Sequence, residues 1–248
     1  MLHLFASPDD VEGDLLRITG PEVNHIRNVM RLKPGEEISV SLGEDGREYR
    51  YGIEAYEAEA VLCRLRFVKE REVELPVRVL LFQGLPKSDK MDLIVQKAVE
   101  LGAAEIIPVS MERCVVKLDD GKAEKKVKRW QTIAESAASQ SRRGILPQVR
   151  MPMTMREAIA LAERETQLRV IPYELQEDDG STKEYLESIQ PGQSISIFIG
   201  PEGGFTKEEV ELAKAAGIRP ISLGNRILRT ETAGLAMLAW LIYILEIH

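Results

Sequence analysis

The sequence predicts an α/β fold, a mostly parallel sheet with helices on both faces, preceded by a small β-rich module. Three observations predict it. From Val77 onward, short aliphatic runs alternate with longer segments of helical periodicity. Before that, "EEISVSLGEDGREYRYGIEAYEAEAVLCRLRFVKE" holds short strand-like runs broken by Gly43, Gly46 and Gly52. Between them "REVELP", ending at Pro76, reads as a link. The division expected is 1–72 for the first module and 73–248 for the second.

The elements of the second part follow in order. "VRVLLFQGL" is a strand. Ser88 or Asp89 then caps a helix through Leu101, with Ile94, Ala98 and Leu101 on one face and Gly102 as the stop. "AEIIPV" is the next strand, and a long helix runs from about Gly121 to Gln140. "MTMREAIALAERE" is helical, "LRVIPY" a strand, "STKEYLESI" a short helix and "SISIFIG" a strand. Thr206 and Glu209 have the spacing of a capping box, opening a helix that ends near Gly217. "RPISLG" is the last strand, and "NRILRTE" leads into the final helix.

The bulk numbers exclude several classes. A formal net charge of −7 rules against a global electrostatic grip on nucleic acid, so any such binding has to use local basic patches. Two cysteines, Cys63 and Cys114, and three histidines give neither CxxC nor HExxH, which argues against a metal site. The start lacks the basic and apolar regions of a signal peptide, and the reading is a cytoplasmic protein with reduced thiols. The longest uncharged apolar run, Thr232 to Leu245, has 14 residues, short of the roughly 20 that a membrane span needs. A helix apolar all round should be covered on every side, and a partner subunit is a natural cover.

Two loops stand out chemically. "GPEGGF" follows "SISIFI", and "GNRILRTET" follows "RPISL". Both lie at carboxyl ends of strands, where open parallel sheets bind ligands. Neither GxxxxGK[ST] nor GxGxxG is present, and Glu202 places an anion where a phosphate would lie. A cationic or neutral ligand suits that carboxylate better. An arginine at a helix start is unfavourable for the macrodipole, so Arg229 is a poor choice for stability alone. The alternative for Arg226 and Arg229 is a solvated loop or a pair with Glu202 or Glu231.

Local positive islands also occur. Residues 113–143 carry nine Lys or Arg against four acids, and "VNHIRNVMRLKPG" holds His25, Arg27, Arg31 and Lys33 with no acid. Such islands suit phosphate contacts, although "GKAEKKVKRW" alone reads better as a solvated helix face, and His25 fits a partly buried structural role equally well. Arg142 and Arg143 follow a helix end, where they either cap it or reach a phosphate.

Six segments then carry a resemblance: "HIRNVMRLKPG", "QGLPKSDKMDLIVQKAVELGAAEIIPV", "ERCVVK", "RWQTIAESAASQSRR", "FIGPEGGFTKEEV" and "LGNRILRTETAGLAML". In this order they resemble the RsmE family of 16S rRNA uridine-N3 methyltransferases, of the SPOUT superfamily, from about residue 3 to the C-terminus. The resemblance implies a PUA-like β-barrel module in front and a methyltransferase domain with a deep C-terminal trefoil knot behind. It implies a homodimer through the apolar C-terminal helix. It also implies S-adenosylmethionine in the knotted loops: the loop after "LRVIPY" with Pro172 and Tyr173, then Ile199, Gly200, Pro201, Glu202, Gly203 and Gly204, then Leu223, Gly224, Arg226, Ile227, Leu228 and Thr232.

In such an enzyme the uridine N3–H must lose its proton to attack an electrophilic methyl carbon. Arg229 is then the candidate for stabilising the uracil anion, Glu231 or Glu202 for accepting the proton, and no metal is required. Glu202 has the alternative role of orienting the cofactor. RNA would be held through His25, Arg27, Arg31, Lys33, Arg142 and Arg143, with the target base unpaired or flipped. A non-catalytic RNA-binding or ribosome-assembly factor on the same scaffold is the rival, against which intact "GPEGG" and "RILRTETAG" argue.

Overall fold

A computed structural model describes residues 1–43, 45–70, 73–173 and 181–247. It divides into two compact units, Met1–Glu74 with Ala138–Leu146, and Leu75–Ala137 with Pro147–His248. The boundary after Glu74 lies two residues from the expected one. The assignment of 138–146 to the first unit was not anticipated.

The first unit is a curled six-stranded sheet. Its strands are β1 (His3–Phe5), β2 (Val11–Glu12), β3 (Leu15–Thr19), β4 (Glu37–Ser41), β5 (Glu48–Tyr56) and β6 (Ala60–Lys69), in the order β1-β4-β5-β6-β3-β2. All pairings are antiparallel except β1 with β4. Strand β3 alternates exposed and buried residues, which sends Leu16 and Ile18 into a core with Ile26, Ile38, Val40, Tyr51 and Val61. Between β3 and β4 lie the one-turn helix α1 (Pro21–Asn24) and a wider π-type turn over His25–Val29. The short strands β1 to β3 escaped the sequence reading because two to five residues carry too little alternation.

The second unit alternates as expected. Its elements are β7 (Arg78–Gly84), α2 (Lys90–Glu100), β8 (Glu105–Ser110), α3 (Asp120–Ser141), β9 (Gln148–Val149), β10 (Met153–Thr154), α4 (Met155–Glu165), β11 (Leu168–Pro172), α5 (Ser181–Glu187), β12 (Ser194–Ile199), α6 (Lys207–Ala215), β13 (Arg219–Ile221) and α7 (Thr230–Leu245). The last turn of α3 falls in the first unit. The seven strands are all parallel, in the order β10-β8-β7-β12-β11-β13, with β9 on β8. Strands β7 and β12 are buried almost throughout, and Phe82 stacks on Phe198 with ring centroids 4.4 Å apart.

The helix ends test the sequence reading closely. Thr206 and Glu209 form the expected box: the Thr206 amide donates to Glu209 Oε2 at 2.9 Å, and the Glu209 amide to Thr206 Oγ1 at 3.1 Å. Gly102 ends the α2 turn at φ +92°. Of the two expected caps of α2, Asp89 holds in position but not in its side-chain bond, and Ser88 takes a left-handed conformation at φ +56°. Cover of α7 is one-sided in the single chain. Ala233, Gly234, Met237, Leu238 and Leu241 are buried, whereas Tyr243 is 67% exposed.

Candidate functional site

Because β7, β12, β11 and β13 are adjacent and parallel, their carboxyl ends meet along one edge of the sheet. A cleft of about 730 Å³ opens there. Its walls come from three loops: Pro172 and Tyr173 after β11, Ile199 to Phe205 (Gly203 excepted) after β12, and Ser222 to Arg229 after β13, with Thr230 and Ala233 of α7 and Lys90 of α2. Of the predicted cofactor residues, Pro172, Tyr173, Ile199, Gly200, Pro201, Glu202, Gly204, Leu223, Gly224, Arg226, Ile227 and Leu228 line it. The rest of the loop after Tyr173 lies outside the described residues. Gly203 and Thr232 are not on the wall. Gly203 turns beside Arg113, which donates to its carbonyl at 2.8 Å, and Thr232 is exposed in the first turn of α7.

Close backbone approach explains two glycines. A Cβ on Gly84, at the end of β7, would lie 2.7 Å from the Pro201 nitrogen. One on Gly200 would lie 3.2–3.3 Å from the Gly204 backbone. Neither position admits a larger residue without moving the loop. A buried relay joins the same loops: Gln83 Nε2 donates to Thr230 Oγ1 at 2.8 Å, and Thr230 Oγ1 donates to the Gly200 carbonyl at 2.6 Å. Gln83 Nε2 also donates to the Gly84 carbonyl at 3.1 Å.

The charged wall is built around Lys90. Its ammonium stands 3.2 Å from Glu202 and 3.0 Å from Glu231. Glu202 accepts from the Lys87 amide at 3.1 and 3.3 Å as well. Burial pushes both carboxyls upward, but hydrogen bonds from their own amides and from Lys90, with Lys87 added at Glu202, outweigh it and hold both below the ordinary range. The Lys90 ammonium is in turn raised, chiefly by its hydrogen bond to Glu231. Glu231 does not itself line the cleft; it meets the wall through its bond to Lys90 and the nearby charge of Arg229. Arg229, at the cap position of α7 with no side-chain cap bond, lies exposed on the cleft.

Lys90, Gln83 and Thr230 were missed by sequence reasoning. The rule that ligands sit at strand carboxyl ends, applied to β7 as it was to β12 and β13, would have pointed to the segment holding Gln83 and Lys90.

The predicted RNA-contacting residues all lie in the first unit. His25, Arg31 and Lys33 are exposed. His25 is therefore not the partly buried histidine of the alternative reading. Arg27 donates to the Glu57 carbonyl and lies 4.9 Å over the Tyr56 ring. Arg142 is exposed in a left-handed conformation at φ +59°. The expectation for Arg143 is corrected. It is only 3% exposed and ion-paired with Glu74, whose carboxylate also accepts the Gly144 and Ile145 amides at 2.9 and 3.1 Å. A buried guanidinium in that arrangement is a structural tie and is not offered to a phosphate. Among the described residues no cluster of His, Cys, Asp or Glu could hold a metal ion, and no helix is long and apolar enough to cross a membrane.

Comparison with known proteins agrees with this geometry. Residues 73–242 match the family of RNA methyltransferase domains, and residues 18–65 the RNA methyltransferase PUA domain. The ribosomal RNA small subunit methyltransferase E of Bacillus subtilis is 39% identical over 240 residues, covering 95% of this chain and 93% of its own. The enzyme of that name from Synechocystis is 33% identical, over 98% and 78% of the two chains. The crystal structure of the Neisseria gonorrhoeae methyltransferase E bound to S-adenosyl methionine superposes with a TM-score of 0.85 at 31% identity, covering 98% of both chains. The chain therefore belongs to the ribosomal RNA small subunit methyltransferase E family.

Proposed function

We propose that the protein transfers a methyl group from S-adenosylmethionine to N3 of a uridine in the 16S rRNA of the small ribosomal subunit. The observation that carries this reading is the cleft where four adjacent parallel strands end, walled by three loops, of which the β12 loop is drawn in close over Gly84 and Gly200. Its volume of about 730 Å³ suits a nucleoside-sized ligand. The residues fit S-adenosylmethionine chemically: apolar Ile199, Leu223, Ile227 and Leu228 for an adenine, open loop backbone for polar edges, and carboxylates beside Lys90 for a cationic group.

When bound, the cofactor supplies a methyl group on a sulfonium, which departs as a neutral thioether. The chain's own groups do the rest. The β12 and β13 loops orient the reactants, and the Gln83–Thr230–Gly200 relay holds those loops together. Arg229 offers donors to the uracil oxygens as N3 loses its proton. Glu202, on the wall, is ionised at neutral pH, the state a proton acceptor requires, whereas Glu231, also ionised, lies off the wall against Lys90.

The first unit would hold RNA through Arg27, Arg31, Lys33, His25 and Arg142, none of which is buried. A second copy of the chain would cover the open face of α7, where Tyr243 is exposed. The protein would act in the cytoplasm, with its substrate. The test is incubation with labelled S-adenosylmethionine and either naked 16S rRNA or assembled small subunits, followed by mapping of the modified nucleotide. Label at a uridine N3 is expected, and transfer to neither substrate would sink the proposal.

A further inference from the structure

Lys90 sits between two carboxylates from separate parts of the chain, Glu202 of the β12 loop and Glu231 of α7, at 3.2 and 3.0 Å. Two acids and one ammonium leave the trio with a single net negative charge. Arg226 and Arg229 add positive charge on the same wall, and Arg229, two residues before Glu231, acts on that carboxylate directly. Without Lys90 the two carboxylates would form a much stronger trap for a cation.

We propose that Lys90 sets the cleft's preference between the sulfonium cofactor and its neutral thioether product, by cancelling one of the two carboxylates beside it. The inference rests on the reading that this cleft binds S-adenosylmethionine. Its physical reason is differential binding. Attraction to the sulfonium charge disappears as the methyl group leaves, so an excess of that attraction stabilises the ground state alone and slows transfer. A lysine held by both acids lowers the attraction without removing either carboxylate. Its side chain is 28% exposed, and those of Glu202 and Glu231 are 26% and 21% exposed, so solvent moderates the effect without abolishing it.

The test compares dissociation constants for S-adenosylmethionine and S-adenosylhomocysteine, measured calorimetrically on the full chain and on Lys90→Met, Lys90→Arg and Glu231→Gln. The two ligands differ by one methyl group and one charge, so damage to the loops weakens both alike and cancels in the ratio. Lys90→Met should raise the preference for the sulfonium ligand on the order of five-fold, and Glu231→Gln should lower it by about as much. Lys90→Arg should keep the wild-type ratio. Lys90→Met should also reduce kcat while KM for the cofactor falls, a split that loss of packing would not produce. An unchanged ratio in both Lys90→Met and Glu231→Gln would overturn the inference and leave the cofactor reading standing. A wild-type protein that binds neither ligand would overturn both. Should Lys90→Met fail to fold, Glu231→Gln decides by the same ratio.

Discussion

With Glu202 at 3.2 Å and Glu231 at 3.0 Å, the Lys90 ammonium helps keep both carboxyls ionised into acid. The sign of the linkage follows. Each carboxyl ionises at lower pH in the folded chain than at its unfolded value of 4.5, so its contribution is present above that value and is lost as the pH falls through the depressed folded one. Melting temperature should therefore fall more steeply between about pH 6 and about pH 3 in the wild type than in Lys90→Met, as read by calorimetry across that range. Arg229 makes a second test. Arg229→Ala should reduce kcat by roughly 10²–10³ while leaving the dissociation constant for S-adenosylmethionine unchanged; intact turnover would remove it from the reaction. Residue by residue, the sequence was most informative where chemistry repeats locally. Glu202, Arg226 and Arg229 stood out because glycines and charges crowd two short loops. Lys90 did not, since its partners lie more than a hundred positions away and its own neighbourhood reads as an ordinary charged helix start. Arg143 misled for the complementary reason: an arginine past a helix end reads as solvated until Glu74 is brought beside it.

At the scale of elements, what periodicity and capping dictate was legible. The β7, β8, β11, β12 and β13 runs, the long α3 and the Thr206 box all fall within a few residues of expectation. The order in which the strands lie was not, because parallel pairing is decided by crossovers that leave no local mark. Placing β12 between β7 and β11 is what gathers Gln83, Gly200 and Thr230 into one relay. Thr230→Val tests that relay. It leaves the Gly200 carbonyl without its donor and should cost about 1–3 kcal/mol, seen as a fall in melting temperature of roughly 2–4 °C for each kcal/mol. Affinity for S-adenosylmethionine should fall with it, whereas Thr230→Ser, which keeps the hydroxyl, should restore binding. Equal cofactor affinity in Thr230→Val would show that the relay supports the fold alone.

For the whole molecule, the apolar α7 anticipated a second copy, and its half-covered state keeps that proposal open to measurement. Tyr243→Glu places a charge on the uncovered face and should shift the protein from dimer to monomer by sedimentation equilibrium; a monomeric wild type would refute the proposed dimer. The assignment of Ala138–Leu146 to the first unit carries a consequence of another kind. The chain passes from one unit to the other three times, after Glu74, after Ala137 and after Leu146. Neither unit is thus a continuous stretch that can be cut out and grafted elsewhere. A fragment beginning at Leu75 would keep Arg143 but lose Glu74, and would lose the His3 ring that meets the Arg143 carbonyl at 3.1 Å. Arg143 would lose its Glu74 carboxylate in a segment stripped of its sheet. The two units are tied as a single inheritable piece, and shuffling one without the other would yield a chain that resists folding before its chemistry could be assayed.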